Sequence, residues 1–327
     1  MKKRTFGETG EEVSEIGLGC WQLGGAEWGD VPDEKALAIL GAAVDSGVTF
    51  FDTADVYGGG RSESLIGRFL KQSRRDIFVA TKLGRMPDLY PDKYTEQGIR
   101  KAVEASLGRL GTQSLDLIQL HCVPAEVMRR GEIFEWLRKL QKEGTIRSFG
   151  ASVESMDEAL LCLAQPGLAS LQIIFNIFRQ KPIGTLFPKA IEKGVAIIVR
   201  LPLASGLLSG KFTKDTKFGP ADHRFFNRDG QLFNVGETFA GIPFEKAVEL
   251  AEEMKAFVPE GVSMVQLAQR WILDHEAVTV VIPGATSAEQ AKQNARASNL
   301  PALPRQLHEQ LGEFYQTRVE PFIRGPY

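Results

Sequence analysis

Residues 33–52, DEKALAILGAAVDSGVTFFD, set a helix against a strand with a glycine between them. Ala36, Leu37, Leu40 and Val44 recur at helical spacing, and Pro32-Asp33 is a reasonable cap for the first turn. Gly47 ends the helix, and the apolar run 48–52 comes at once after it. That run has no polar alternation, as expected of a parallel strand covered on both faces. Outward from this unit the pattern repeats. "EKGV" at 192–195 makes the same glycine junction before another apolar run. Strands are predicted at 16–20, 48–52, 77–81, 115–120, 146–151, 171–175, 195–200 and 278–282. Helical stretches are predicted at 33–46, 62–73, 95–110, 131–143, 155–165, 184–193 and 244–276. This alternation predicts an α/β chain folded as a (β/α)8 TIM barrel, a single domain over residues 1–327. Thr9-Gly10, between two β-prone pieces, predicts an N-terminal hairpin. Segment 206–243, after strand seven, is too long for an ordinary connection and predicts a functional or disordered loop.

The bulk numbers exclude several classes. Hydrophobic residues are 43% and charged residues 24%, an ordinary globular balance. A net charge of −2 gives no reason to expect nucleic acid or an anionic membrane as a partner. The start MKKRTFGETGEE has basic residues but no apolar run behind them, so no signal peptide is expected. No apolar stretch is long enough to span a bilayer. Cys20, Cys122 and Cys162 are scattered, which predicts free thiols in a reducing, cytoplasmic setting. His121, His223, His275 and His308 are also scattered, without zinc-ligand spacing, so no metal site is expected. The oligomeric state is not encoded in any pattern found.

Two nucleotide motifs nearly match and fail. Gly17-Leu18-Gly19 lacks its third glycine, because Gln22 stands there. Gly206 to Gly210-Lys211 is one residue short of a Walker loop, and Phe212 replaces the magnesium-holding hydroxyl. The stronger signal is positional. Asp52, Lys82 and His121 end three consecutive strands, and Tyr57 comes one short turn after Asp52. In a barrel those ends share the C-terminal face, where active sites are built. Singly, each has a plain structural explanation; together they suit carbonyl reduction. Such a reaction needs a proton for the developing alkoxide. Lys82 is expected to lower the Tyr57 phenol pKa, Asp52 to keep Lys82 charged, and His121 to donate to the carbonyl oxygen.

FFDTADVYGGGRSESLIG (50–67) resembles the aldo-keto reductase signature, in which an Asp stands five positions before a Tyr and a Gly-x-Ser-Glu stretch comes after. VATKLG (79–84) is similar to the family's lysine strand, and LDLIQLH (115–121) to its histidine strand. The resemblance covers nearly the whole chain. It implies a catalytic set of Asp52, Tyr57, Lys82 and His121, with Tyr57 the general acid, an NADPH cofactor, and aldehyde or ketone substrates. It also implies cofactor contacts. Gly19, Cys20, Trp21 and Asp52 match the nicotinamide end, and Ser152 and Gln172 the carboxamide pair. LPLASGLLSGK (201–211) implies Pro202, Leu203, Ala204 and Lys211. IPGATSAEQAKQN (282–294) implies Gly284, Thr286, Gln290, Gln293 and Asn294 at the adenosine end.

Three positions depart from the family pattern. Val153 stands where many members have Asn or Arg. Arg200 stands where many have an aromatic on the nicotinamide, and a guanidinium there would repel an oxidised ring. Thr286 stands where several relatives have an Arg for the 2′-phosphate, leaving Lys211, Lys292 and the nearby helix N-terminus to supply attraction. The pocket walls are expected from Trp21, Trp28, the 84–95 loop and segment 206–243. Two other readings share these features: a nicotinamide-binding regulatory subunit of the potassium-channel β type, and a barrel aldolase using Lys82 as a Schiff-base amine.

Overall fold

The computed structural model describes residues 1–25 and 31–327. Strands β1 (Lys3–Thr5) and β2 (Glu12–Ser14) form an antiparallel hairpin, turned through Gly10 at φ +79°. Eight parallel strands come next: β3 (Leu18–Gly19), β4 (Phe50–Asp52), β5 (Phe78–Leu83), β6 (Leu115–His121), β7 (Ile146–Ser152), β8 (Leu168–Ile174), β9 (Ala196–Arg200) and β10 (Val278–Val281). Each pairs with the next in sequence. Bridges Ile16–Val281 and Gly19–Gly284 join the first to the last, closing a TIM barrel.

The hairpin decides which end can work. Phe6 packs against Phe50 and Phe78, with ring centroids 5.8 and 4.9 Å away, at the first residues of β4 and β5. Phe6 and Val13 join Ala80, Leu117, Ala196, Ile198 and Val280 in an apolar plug. Among the described residues the hairpin thus plugs the N-terminal end of the barrel interior, while the strand ends at the C-terminal rim line an open cavity. No helix among the described residues is long and apolar enough to cross a membrane.

Some predicted helices are subdivided. The stretch 244–276 forms two helices, Phe244–Met254 and Met264–Leu273. Pro259 and Gly261, at φ +76°, interrupt it, and Ser263 starts the second with a reciprocal cap to Gln266. The stretch 131–143 is preceded by a separate turn of helix, Ala125–Arg130, set off by Gly131 at φ +81°. The stretch 184–193 breaks at Leu186 into Pro182–Thr185 and Phe187–Glu192. Apolar periodicity runs through all three breaks, which is why the sequence reads as continuous. Segment 206–243 is ordered rather than loose. Phe212, Phe218, Phe239 and Phe244 pack on one another with centroids 4.8 to 6.5 Å apart.

Candidate active site

Asp52 and His121 are the last residues of β4 and β6, and Lys82 is next to last in β5. All three sit at the open rim. Lys82 is fully buried, and its three ammonium protons have three acceptors. Nζ donates to Asp52 Oδ1 at 2.5 Å, to the Thr53 carbonyl at 2.8 Å and to the Tyr57 hydroxyl at 3.4 Å. An amine so engaged is not a free nucleophile, which weighs against the Schiff-base reading. The other Asp52 oxygen accepts from Gln172 Nε2 at 2.7 Å and Gln119 Nε2 at 3.3 Å. Sequence reasoning misses Gln119, because one polar residue in an apolar strand reads as ordinary barrel lining.

Tyr57 is held by its turn and by two rings. A Cβ on Gly58 would stand 2.2 Å from the Gly24 carbonyl, so only glycine lets the turn lie against residues 21–24. Trp21 stacks on Tyr57 at 5.9 Å, and His121 meets it edge-on at 5.9 Å. Burial pushes the phenol well above its ordinary pKa, with Asp52 and Glu237 adding to the rise and Arg200 opposing it. This differs from the expected lowering by Lys82. The ammonium is paired with Asp52 at 2.5 Å, whose charge opposes the phenolate, and desolvation dominates. Burial also drives His121 well below its ordinary value, with Lys82, Arg85 and Arg200 adding to the effect. The imidazole is therefore neutral, and its Nδ1 has no hydrogen-bond partner among the described residues.

A cavity of about 730 Å³ opens over these groups. Of the residues expected at a cofactor, Gly19, Trp21, Asp52, Ser152, Gln172, Arg200, Pro202, Leu203, Lys211, Gly284, Thr286, Gln290, Gln293 and Asn294 line this cavity. Cys20 and Ala204 do not. Both are buried in the apolar packing behind the wall, where burial keeps the Cys20 thiol protonated. Lys292 is exposed and off the cavity. Trp28 lies outside the described residues. Arg85 comes to the wall from the 84–95 loop, and Phe212, Arg224, Phe233 and Glu237 from segment 206–243. Lys35, in helix Asp33–Asp45, also lines it; the sequence does not reveal this, because Lys35 reads as an ordinary solvated helix position.

The donors along this cavity suit a nicotinamide dinucleotide. At the inner end, Ser152 Oγ donates to Gln172 Oε1 at 3.4 Å. Farther along, Lys211 Nζ has no partner among the described residues. At the outer end, Thr286 N and Oγ1 donate to Gln290 Oε1 at 2.7 and 3.0 Å, beside the start of helix Ala288–Ala295. Gln22 Oε1 is buried there without a partner among the described residues, against a Gly284 whose Cβ would come within 2.1 Å of the Gln22 amide. Amides, a cation and a helix N-terminus thus succeed one another outward from Asp52.

Arg200 does not stand as an isolated charge on this wall. Its guanidinium pairs with Glu237 and donates to the Val153 carbonyl at 2.9 Å. Burial works against its charge, and Glu237, Cys122 and Glu154 more than offset it. The backbone just beyond is strained, with Leu201 and Ser205 at φ 53° and 59°. Ser205 Oγ donates to the Glu237 carbonyl at 2.7 Å, fastening the long segment to the end of β9.

Comparison with known proteins agrees with this architecture. The aldo/keto reductase family model matches residues 15–316. The uncharacterized oxidoreductase YqkF of Bacillus subtilis is 32% identical over 305 residues, covering 91% of this chain and 92% of its own. The NADH-specific methylglyoxal reductase of Escherichia coli is 29% identical, covering 92% and 94%. An aldo-keto reductase from Bacillus halodurans, solved in a holo form, superposes with a TM-score of 0.78 at 28% identity, covering 96% of each chain. On sequence, fold and strand-end arrangement alike, this chain belongs to the aldo/keto reductase family of oxidoreductases.

Proposed function

We propose that the chain, working as one barrel domain, reduces aldehyde or ketone carbonyls to alcohols with NADPH, and that Tyr57 is the proton donor. The observation that carries this reading is the Tyr57 hydroxyl 3.4 Å from Lys82 Nζ, beside a neutral His121, on the wall of the cavity. Ser152 and Gln172 would hold the carboxamide of the cofactor, Lys211 its phosphates, and Gln290, Gln293 and Asn294 its adenosine end. A nicotinamide bound there supplies a hydride. His121 donates an N–H to the carbonyl oxygen and holds it toward Tyr57. The Tyr57 hydroxyl passes its proton to that oxygen as negative charge builds. Lys82 stabilises the phenolate that remains, and Asp52 keeps Lys82 in place.

Two ammonium groups on the cavity, Lys35 and Lys211, have no anionic partner among the described residues and favour the phosphorylated cofactor. Helix Asp33–Asp45 packs on helix Ala288–Ala295, which puts Lys35 at the adenosine end. The Escherichia coli relative is named NADH-specific, so the preference needs its own measurement. Calorimetry with NADPH and NADH decides it: tighter NADPH binding is expected, and equal or reversed affinity removes the NADPH assignment. A panel of aldehydes and ketones, monitored by loss of the reduced-nicotinamide absorbance, tests the reaction. No turnover with any carbonyl and either cofactor overturns the reductase reading.

A further inference from the structure

Lys82, Arg85 and Arg200 are the cations that act on Tyr57 or His121, and among the described residues Arg85 alone of these three has no direct anionic partner. Lys82 pairs with Asp52, Arg200 with Glu237, and Arg224 with Asp222. Arg85, two residues beyond the end of β5, lines the same cavity and is half-buried. Among the described residues it makes no ion pair and no hydrogen bond; its guanidinium lies over the Tyr90 ring at 5.6 Å. A guanidinium has five N–H donors in a fixed fork that matches a carboxylate. Half-buried on a cavity wall with those donors unused, it is a site for an anion.

Strand order separates this cation from the cofactor groove. β5 and β9 are four places apart in the closed ring of eight, so Arg85 and the Leu201–Lys211 segment face each other across the barrel. The anion it meets is therefore part of the substrate. We propose that Arg85 recognises a carboxylate on the substrate, so that the carbonyl compounds reduced here are oxo-acids; this rests on the reductase reading above. A carboxylate is favoured over a phosphate because Arg85 also feels Glu154 and Glu237, each of which has a carboxylate oxygen within 4.8 Å of Cys122 Sγ. Those two acids help keep Arg85 protonated against its burial, and they would repel a dianion more than a monoanion.

The test compares succinic semialdehyde with its methyl ester, and both with glyceraldehyde phosphate, in the wild type, Arg85→Gln and Arg85→Lys. The wild type is expected to favour the free acid over the ester in kcat/KM, mainly through KM. The acid-to-ester ratio should fall by about 10–100-fold in Arg85→Gln, the worth of a charged hydrogen-bonded pair, and recover in part in Arg85→Lys. Calorimetric binding of succinate to the cofactor-loaded protein gives a readout without turnover, and it should be lost in Arg85→Gln. No acid preference in the wild type, an unchanged ratio in Arg85→Gln, or no succinate binding overturns the proposal. A preference for glyceraldehyde phosphate over the semialdehyde overturns the carboxylate assignment. Failure to reduce even the ester overturns the reductase reading instead, and succinate binding still reports on Arg85.

Discussion

Gln172 Nε2 donates a 2.7 Å hydrogen bond to Asp52 Oδ2, the carboxylate oxygen that Lys82 does not take. The same nitrogen lies 3.5 Å from Gln119 Oε1, so both of its protons have partners inside the barrel. Only the carbonyl side of the Gln172 amide is left for a ligand, and Ser152 Oγ already donates to it at 3.4 Å. A residue expected to hold a cofactor amide thus also orients the carboxylate that positions Lys82.

Gln172→Leu removes the shortest bond to a buried carboxylate oxygen and leaves only Gln119, at 3.3 Å. Leaving a buried acceptor poorly paired costs about 1–3 kcal/mol. Denaturant unfolding of the cofactor-free protein should show a loss of that size. Ser152→Ala removes the far end of the same chain without touching Asp52 and should cost less. Equal losses in the two variants would mean that Gln172 does not act through Asp52.

Arg200 and Glu237 are far apart in the chain and are both buried. Removing one partner of a buried pair typically costs about 3–5 kcal/mol, because the other charge is left uncompensated. Glu237→Gln keeps the shape and removes the compensation. The freed guanidinium should then repel an oxidised nicotinamide more than a reduced one. Fluorescence titration is expected to show NADP+ binding weakened more than NADPH binding; an equal change in both would place Arg200 away from the ring.

The strand ends are legible in the sequence because parallel barrel strands announce themselves as short apolar runs, and the residue closing each run lies at one rim. That logic alone brings Asp52, Lys82 and His121 together. Glu237 and Arg85 carry no such signature. Each is a charged residue in a connecting loop, and its position depends on how that loop packs: Glu237 through Ser205 and Arg200, Arg85 through Tyr90. Pro259 and Gly261 are visible helix breakers, but the apolar period on both sides outweighs them. The direction of the Tyr57 shift is not legible, because desolvation depends on burial, which pairwise reasoning about Lys82 does not contain.

Asp55 makes stability depend on pH. It is buried in the turn between Asp52 and Tyr57, and burial, with Glu63 nearby, pushes its carboxyl from 3.8 up to about 7. Between those values the unfolded chain has lost the proton that the fold keeps. The fold binds more protons, so stability falls as pH rises through this window. Asp55→Asn removes the titration. Its stability at pH 8 should exceed the wild type by about 2–4 kcal/mol, and the difference should vanish below about pH 4. A wild-type excess at pH 8 would mean the Asp55 charge is stabilised in the fold.

Tyr57→Phe keeps the ring against Trp21 and His121 and removes only the hydroxyl. Lys82 retains Asp52 and the Thr53 carbonyl, so the fold should lose no more than about 1 kcal/mol. If Tyr57 delivers the proton, the rate of carbonyl reduction should fall by about 10²–10⁴-fold. Cofactor affinity should barely move, because the hydroxyl acts on the transition state and not on the dinucleotide. The pH profile gives a second check. Reduction needs the phenol protonated, and burial raises its pKa above the ordinary value of 10.0. His121 is driven below 6.5 and stays neutral over the same range. Wild-type turnover should therefore be flat from about pH 7 to about pH 9, with no inflection from either residue. A Tyr57→Phe protein that keeps wild-type turnover on an aldehyde it accepts would remove Tyr57 from the chemistry, and a downward break near pH 8 that disappears in that variant would show the phenol titrating far below where its burial puts it.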